Sequence, residues 1–144
     1  MKIVFLAHTS YGMGGVVTAV ANLTAGLVER HEVEVISVYR SRDQLSIPLP
    51  DGVAFRSLID LRATSPHCGH DDPRHQEESR IVPKNARRRF SLLAEVRLID
   101  FLSETDADVV VATCPELGVL LANQPGPYLR MYQVHAGGAR SPGK

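Results

Sequence analysis

Residues 12 to 15 read Gly12-Met13-Gly14-Gly15, directly ahead of a stretch with helical periodicity. Glycines at a helix N-terminus expose backbone N–H groups, and such groups favour a phosphate or an incoming ligand hydroxyl. Spacing excludes two phosphate-binding patterns. The dinucleotide fingerprint needs its first glycine directly after the strand, whereas His8 to Tyr11 intervene here and Val17 stands in the third glycine's place. The acidic residue expected at the end of the second strand is also missing, and Tyr39-Arg40-Ser41-Arg42 stands there instead. A P-loop requires Gly-Lys-Ser/Thr, which does not follow the cluster. Two readings remain, a ligand cradle at the mouth of a cleft and a plain turn. The plain turn would need positive φ and make Gly15 intolerant of a side chain.

Three other groups have residue types suited to chemistry. Thr113-Cys114-Pro115-Glu116 has the form of a capping box with proline in the first turn, which puts Glu116 at a helix start where it can also face a cleft. His67, Cys68, His70, Asp71, Asp72 and His75 offer zinc-type ligands, but their spacing fits no closed tetrahedral pattern and prolines and charges surround them, so no metal is expected. Arg87-Arg88-Arg89 lacks interleaved aromatics and reads as the solvated start of a helix. Thr9 and Ser10 are candidates for lining the loop ahead of the glycines.

The elements that must carry these residues alternate strand and helix. The predicted strands are Lys2 to His8, His31 to Tyr39, Gly52 to Leu58, Asp108 to Ala112 and Tyr128 to Val134. The first of these has the unbroken apolar character of a strand buried on both faces. A first helix over Gly15 to Glu29 buries Val16, Val20, Leu23 and Leu27, with Val17, Ala21 and Val28 beside them. Gly26 inside it is expected to approach the sheet closely. A second helix over Arg87 to Thr105 turns Phe90, Ala94, Leu98 and Phe101 inward, and a third covers Pro115 to Asn123. Residues 62–86 have little apolar periodicity and read as a flexible surface loop, and residues 136–144 as an irregular tail. The fold class is α/β, a Rossmann-like parallel sheet flanked by helices, in one domain over residues 1–135. Ligands of such sheets sit at the carboxyl ends of the strands, where the loops after residues 8, 113 and 133 open.

Composition narrows the partners. With 144 residues, 16 basic and 16 acidic side chains and 44% hydrophobic residues, the chain can bury a core but has no long-range field for nucleic acid or an anionic membrane. No stretch is long enough to span a membrane, and the opening apolar run is too short for a signal peptide. Cys68 and Cys114 have no paired motif and read as reduced thiols, which points to the cytoplasm.

The opening "MKIVFLAHTSYGMGGVVTAVANLTAGLVERHEVEVISV" resembles the start of the GT-B glycosyltransferases, specifically the retaining group called family 4. The stretches "ADVVVATCPELGVLLA" and "LRMYQVHAG" are similar to the last two strands of that family's N-terminal domain. The resemblance implies the acceptor-side half of a GT-B architecture, moving a sugar from a nucleotide-sugar donor to an acceptor, with the nucleotide sugar as co-substrate and no further cofactor or metal. It implies that Gly14 and Gly15 contact donor phosphate or acceptor and that His135, in "QVHAG", lies near the transferred sugar as the catalytic candidate. Val134 stands where relatives carry a glutamate. Glu116 joins the glycines as a substrate-binding candidate at the same edge, and peripheral membrane contact is compatible with an anionic or lipid-linked acceptor.

The resemblance also implies a second Rossmann-like domain that would hold most of the donor and supply the cations that stabilise the leaving diphosphate. The chain is therefore expected to be inactive alone, as a gene fragment or a frameshifted product ending in "ARSPGK". The alternative reading is a catalytically dead binding remnant or an interaction module on the same fold.

Overall fold

The computed structural model describes residues 1–12, 14–84 and 89–133. Its strands are β1 (Lys2–Thr9), β2 (Glu32–Arg40), β3 (Ala54–Asp60), β4 (Val109–Ala112) and β5 (Leu129–Tyr132), and its helices α1 (Gly15–Leu27), α2 (Leu92–Glu104) and α3 (Pro115–Ala122). All pairings are parallel, in the order β3-β2-β1-β4-β5. The α/β reading from the sequence therefore holds, with each strand within a residue or two of its expected span.

Alternation along β1 divides the core into two layers. Val4 and Leu6 face the side covered by α2 and α3, with Leu93, Leu98, Leu117 and Leu120. Ile3 and Phe5 face the side covered by α1, with Val20, Val33 and Val35. The central strands are buried on both faces, which is why their sequences are continuous apolar runs and not alternating ones.

Four local expectations are corrected. On α1, Leu23 is 39% exposed while Thr24 is fully buried, its Oγ1 donating back to the Ala21 carbonyl at 3.0 Å. The helix is thus turned slightly from the stripe that hydrophobicity alone suggests. Gly26 does not approach the sheet, because a Cβ there would meet nothing within 4 Å. Second, α2 begins at Leu92, not at Arg87. Ser91 caps it, accepting a hydrogen bond from the Ala94 N–H at 3.1 Å, and this fixes the helix start. Phe90 still enters the core, but from the turn ahead of the helix.

The capping box ahead of α3 does not form either. Cys114 is the N-cap and makes no side-chain cap bond, while the Thr113 hydroxyl donates to the Leu6 carbonyl at 2.7 Å. Thr113 is still in the sheet's register and its side chain is committed to the neighbouring strand.

Residues 62–84 carry two 3-10 turns, Gly69–Asp71 and Pro73–His75, and bury His75, Ser79 and Val82. One side chain on α2 organises this segment. Buried Glu95 accepts from Ser79 Oγ at 2.7 Å and from the Arg80 and Ile81 N–H groups at 2.9 and 3.0 Å. Polar anchoring of this kind leaves no hydrophobic period for a reader of the sequence to find.

Candidate functional site

In this strand order the chain leaves β1 toward β2 and leaves β4 toward β5, so β1 and β4 are adjacent strands whose connections run in opposite directions. Their carboxyl ends are the topological switch point, the ligand crevice of open α/β sheets. A cleft of about 140 Å³ opens there. His8, Gly14, Gly15 and Val17 form one wall, and Thr113 and Cys114 the other. Its volume is below the ~300–1,000 Å³ of a complete small-molecule pocket, so it can hold a phosphate or part of a sugar but not a whole nucleotide sugar.

Local hydrogen bonds explain why the glycines lie four residues beyond the strand's ligand edge. The Ser10 N–H donates to Ser37 Oγ at 3.0 Å, and the buried Tyr11 ring places its hydroxyl 3.2 Å from Ser57 Oγ. The chain therefore dives back under β2 and β3 before rising into α1. This puts Thr9 at the cleft and Ser10 beneath it.

Gly14, the N-cap of α1, has φ of 156° and ψ of 177°, a region open essentially to glycine alone. Gly15 has no such backbone, and a Cβ on it would meet nothing within 4 Å. The positive φ that the plain-turn reading assigned to Gly15 thus belongs to its neighbour. Gly14 shapes the turn, and Gly15 keeps the cleft open. Among the described residues no side chain caps the first turn of α1, which also carries no acidic residue, so its N–H groups and the positive end of the helix dipole face the cleft.

His8 was not singled out by the sequence. Its Nε2 lies 3.2 Å from the Arg89 carbonyl, which can only accept, so Nε2 is the donor. The ring packs on Tyr39 at 4.9 Å, and the Tyr39 hydroxyl accepts from the Ser91 N–H. The segment leading into α2 thereby orients a cleft residue 81 positions earlier. A histidine closing a strand at the ligand edge was the available signal.

The other candidates fall differently. Glu116 does not line the cleft but lies beyond its far wall, in the first turn of α3. His135 lies outside the described residues. His70 and His75 pack edge to face at 4.9 Å, and among the described residues no three His, Cys, Asp or Glu side chains gather around one point. Cys68 and Cys114 are both buried and are not joined to each other by a disulfide. A larger hollow of about 410 Å³ sits at the opposite end of the strands. Two ion pairs line it, Lys2 with Asp106 at 2.6 Å and Arg56 with Glu34 at 3.3 Å, together with Arg97, Asp100 and Glu104. No described helix is long and apolar enough to cross a membrane.

No family model matches the chain. Over 94% of its length it is 27% identical to an exopolysaccharide phosphotransferase of Streptomyces coelicolor, of which it spans 15%. The chain is thus similar to one portion of a much longer transferase.

Proposed function

We propose that this chain is the acceptor-side Rossmann-like domain of a larger GT-B-type enzyme that transfers a sugar, or a sugar with its phosphate, from a nucleotide-activated donor onto a saccharide acceptor. The observation that carries this reading is the uncapped N-terminus of α1, opened by Gly15 onto the β1–β4 switch point. Backbone N–H groups there suit phosphate oxygens without requiring a lysine or arginine, in keeping with the chain's zero net charge. The relative's name adds two elements of the same chemistry, a phosphoryl group and an exopolysaccharide.

In this reading the retaining step breaks the bond between the sugar's anomeric carbon and the donor phosphate and forms one to an acceptor oxygen, whose hydroxyl proton passes to the departing diphosphate. The diphosphate departs with the bonding electrons. The cleft described here holds one side of that ensemble, and the cations that stabilise the leaving group come from elsewhere in the enzyme. His135 is retained as the catalytic candidate, with Gly14 and Gly15 contacting the phosphates.

The test is titration of the isotope-labelled chain with uridine diphosphate glucose, followed by amide shifts. Binding is expected in the millimolar range, about −4 kcal/mol, with shifts confined to Thr9, Gly12, Gly14 to Val17 and Thr113. Gly15→Val should abolish the shifts without moving the melting temperature. Shifts elsewhere, or a parallel loss of melt and binding, would refute the reading.

A further inference from the structure

Arg89, in the segment leading into α2, is joined both to the cleft and to the stretch 70–80. Its backbone carbonyl accepts from His8 Nε2 at 3.2 Å, while its guanidinium donates to the His75 carbonyl and lies 3.7 Å from Glu78. The stretch is pinned to the same segment by the Ser79 N–H on the Phe90 carbonyl at 3.0 Å and the Leu92 N–H on the Glu77 carbonyl at 2.9 Å. The Tyr39 ring lies between the two imidazoles, 4.9 Å from His8 and 6.2 Å from His75. A cleft residue and a loop histidine thus share two neighbours.

His75 is 6% exposed, and its Nδ1 is buried with no hydrogen-bond partner among the described residues. The titratable and charged groups around it come from each element packed on it. His70 meets it edge to face at 4.9 Å from the first 3-10 turn, Tyr39 comes from β2, Arg89 from the segment before α2, and Asp72 from its own turn. Asp72 is the anion among them, and both its carboxylate oxygens are already engaged by Arg74, at 3.1 and 2.8 Å. On α2, which packs on this turn, Glu95 is committed to Ser79 and Arg97 to the Leu58 carbonyl. Burial first, then His70 and Arg89, hold the His75 pKa below its usual value, with Asp72 opposing. A protonated His75 is therefore a buried cation beside a guanidinium, with no free carboxylate to meet it. It is relieved when Arg89 moves away or when the turn opens to water. Both movements displace the segment whose carbonyl holds His8.

We propose that the stretch 70–80 is a proton-operated latch on the cleft: with His75 neutral, Arg89 keeps His8 in place as part of the cleft wall, and protonation of His75 releases Arg89 and His8 together. Arg89 is then a positioning residue that acts through His8. The consequence for ligand binding rests on the sugar-transferase reading, whereas the release of His8 is a property of the fold.

The experiment follows the His8 and His75 ring signals of the isotope-labelled full chain from about pH 7.5 to 5, with uridine diphosphate glucose titrated at both ends. The His8 ring should show a step at the His75 midpoint, together with residues 70–80 and Arg89 and ahead of any general loss of amide dispersion. Uridine diphosphate glucose should bind about fivefold or more weakly at the lower pH. Protonation of His8 by itself would act in the opposite direction, since a cation in the cleft wall attracts phosphate. His75→Gln should remove the step, and Arg89→Ala should leave the His75 titration in place while His8 no longer follows it. A His8 ring indifferent to the His75 midpoint, a step that survives in either variant, a step shared by all amides, or binding that tightens at low pH would each overturn the latch. A His8 step without any nucleotide-sugar binding would sustain the latch and count against the sugar-transferase reading instead.

Discussion

At the scale of single residues, adjacent glycines have different tasks. Gly14 sits in a backbone region where a side chain costs about 1–3 kcal/mol, so Gly14→Ala should destabilise the chain by that amount in urea denaturation. Gly15→Ala should change stability by less than about 0.5 kcal/mol, because its Cβ enters open space and its backbone is ordinary. Equal losses from the two would show that the turn is held by something other than the Gly14 conformation. A cleft opens at the cluster that the sequence singles out. Which of the pair carries the unusual φ was not legible, because that depends on how Ser10 and Tyr11 are pinned under β2 and β3.

At the scale of elements, α1 and α2 are stabilised by different means, and each offers a test. Gly26 lies on the exposed side of α1 with nothing near it, so Gly26→Ala should stabilise the protein by about 1 kcal/mol. A loss of stability in that variant would mean that the glycine serves a packing contact after all. Ser91 is fully buried, caps α2 and shares a 3.2 Å contact with the Tyr39 hydroxyl. Ser91→Ala should cost about 2 kcal/mol, near the top of the range for a lost cap, because it also strips Tyr39 of a partner. Thermal denaturation measures both. The capping box read at Thr113 fails for a related reason: a side chain still inside the sheet bonds the neighbouring strand before it can cap the next helix.

For the whole molecule, protons and concentration are the informative variables. His75 is buried against His70, Tyr39, Arg89 and Asp72. Burial first, then the positive charge of His70 and Arg89, hold its pKa below the ordinary 6.5, with Asp72 opposing. As the pH falls the unfolded chain therefore binds this proton before the folded one does. Stability from this group is complete above about pH 6.5 and declines below it, by at most ~1.4 kcal/mol per pH unit, until the folded pKa is passed. His75→Gln should flatten the dependence of melting temperature on pH between about 7.5 and 5, and an unchanged slope would remove His75 from the account.

Concentration acts through β5, which has no outer neighbour among the described residues and leaves Leu129 and Met131 61% and 50% exposed. Such an edge invites pairing. Sedimentation of the isolated chain should show a mass that rises with concentration, and Leu129→Lys should suppress the rise. A strictly monomeric wild type would show that the edge is already guarded.

The sequence by itself determined the alternation of strands and helices and the parallel sheet. Apolar runs for strands buried on both faces and a helical period for α1 and α2 are local patterns, readable within a dozen residues. The same alternation sends the connecting loops to the carboxyl ends of the strands, the ligand edge of open α/β sheets in general. Only the tertiary structure decided that β4 pairs with β1, residues about a hundred positions apart, and so that Cys114 faces Gly15 across one cleft. The same applies to His8 on the Arg89 carbonyl and Glu95 on the Ser79 turn. Each of these joins side chains far apart in the chain, and its free energy appears only when two distant segments are brought together. No window of sequence holds both partners.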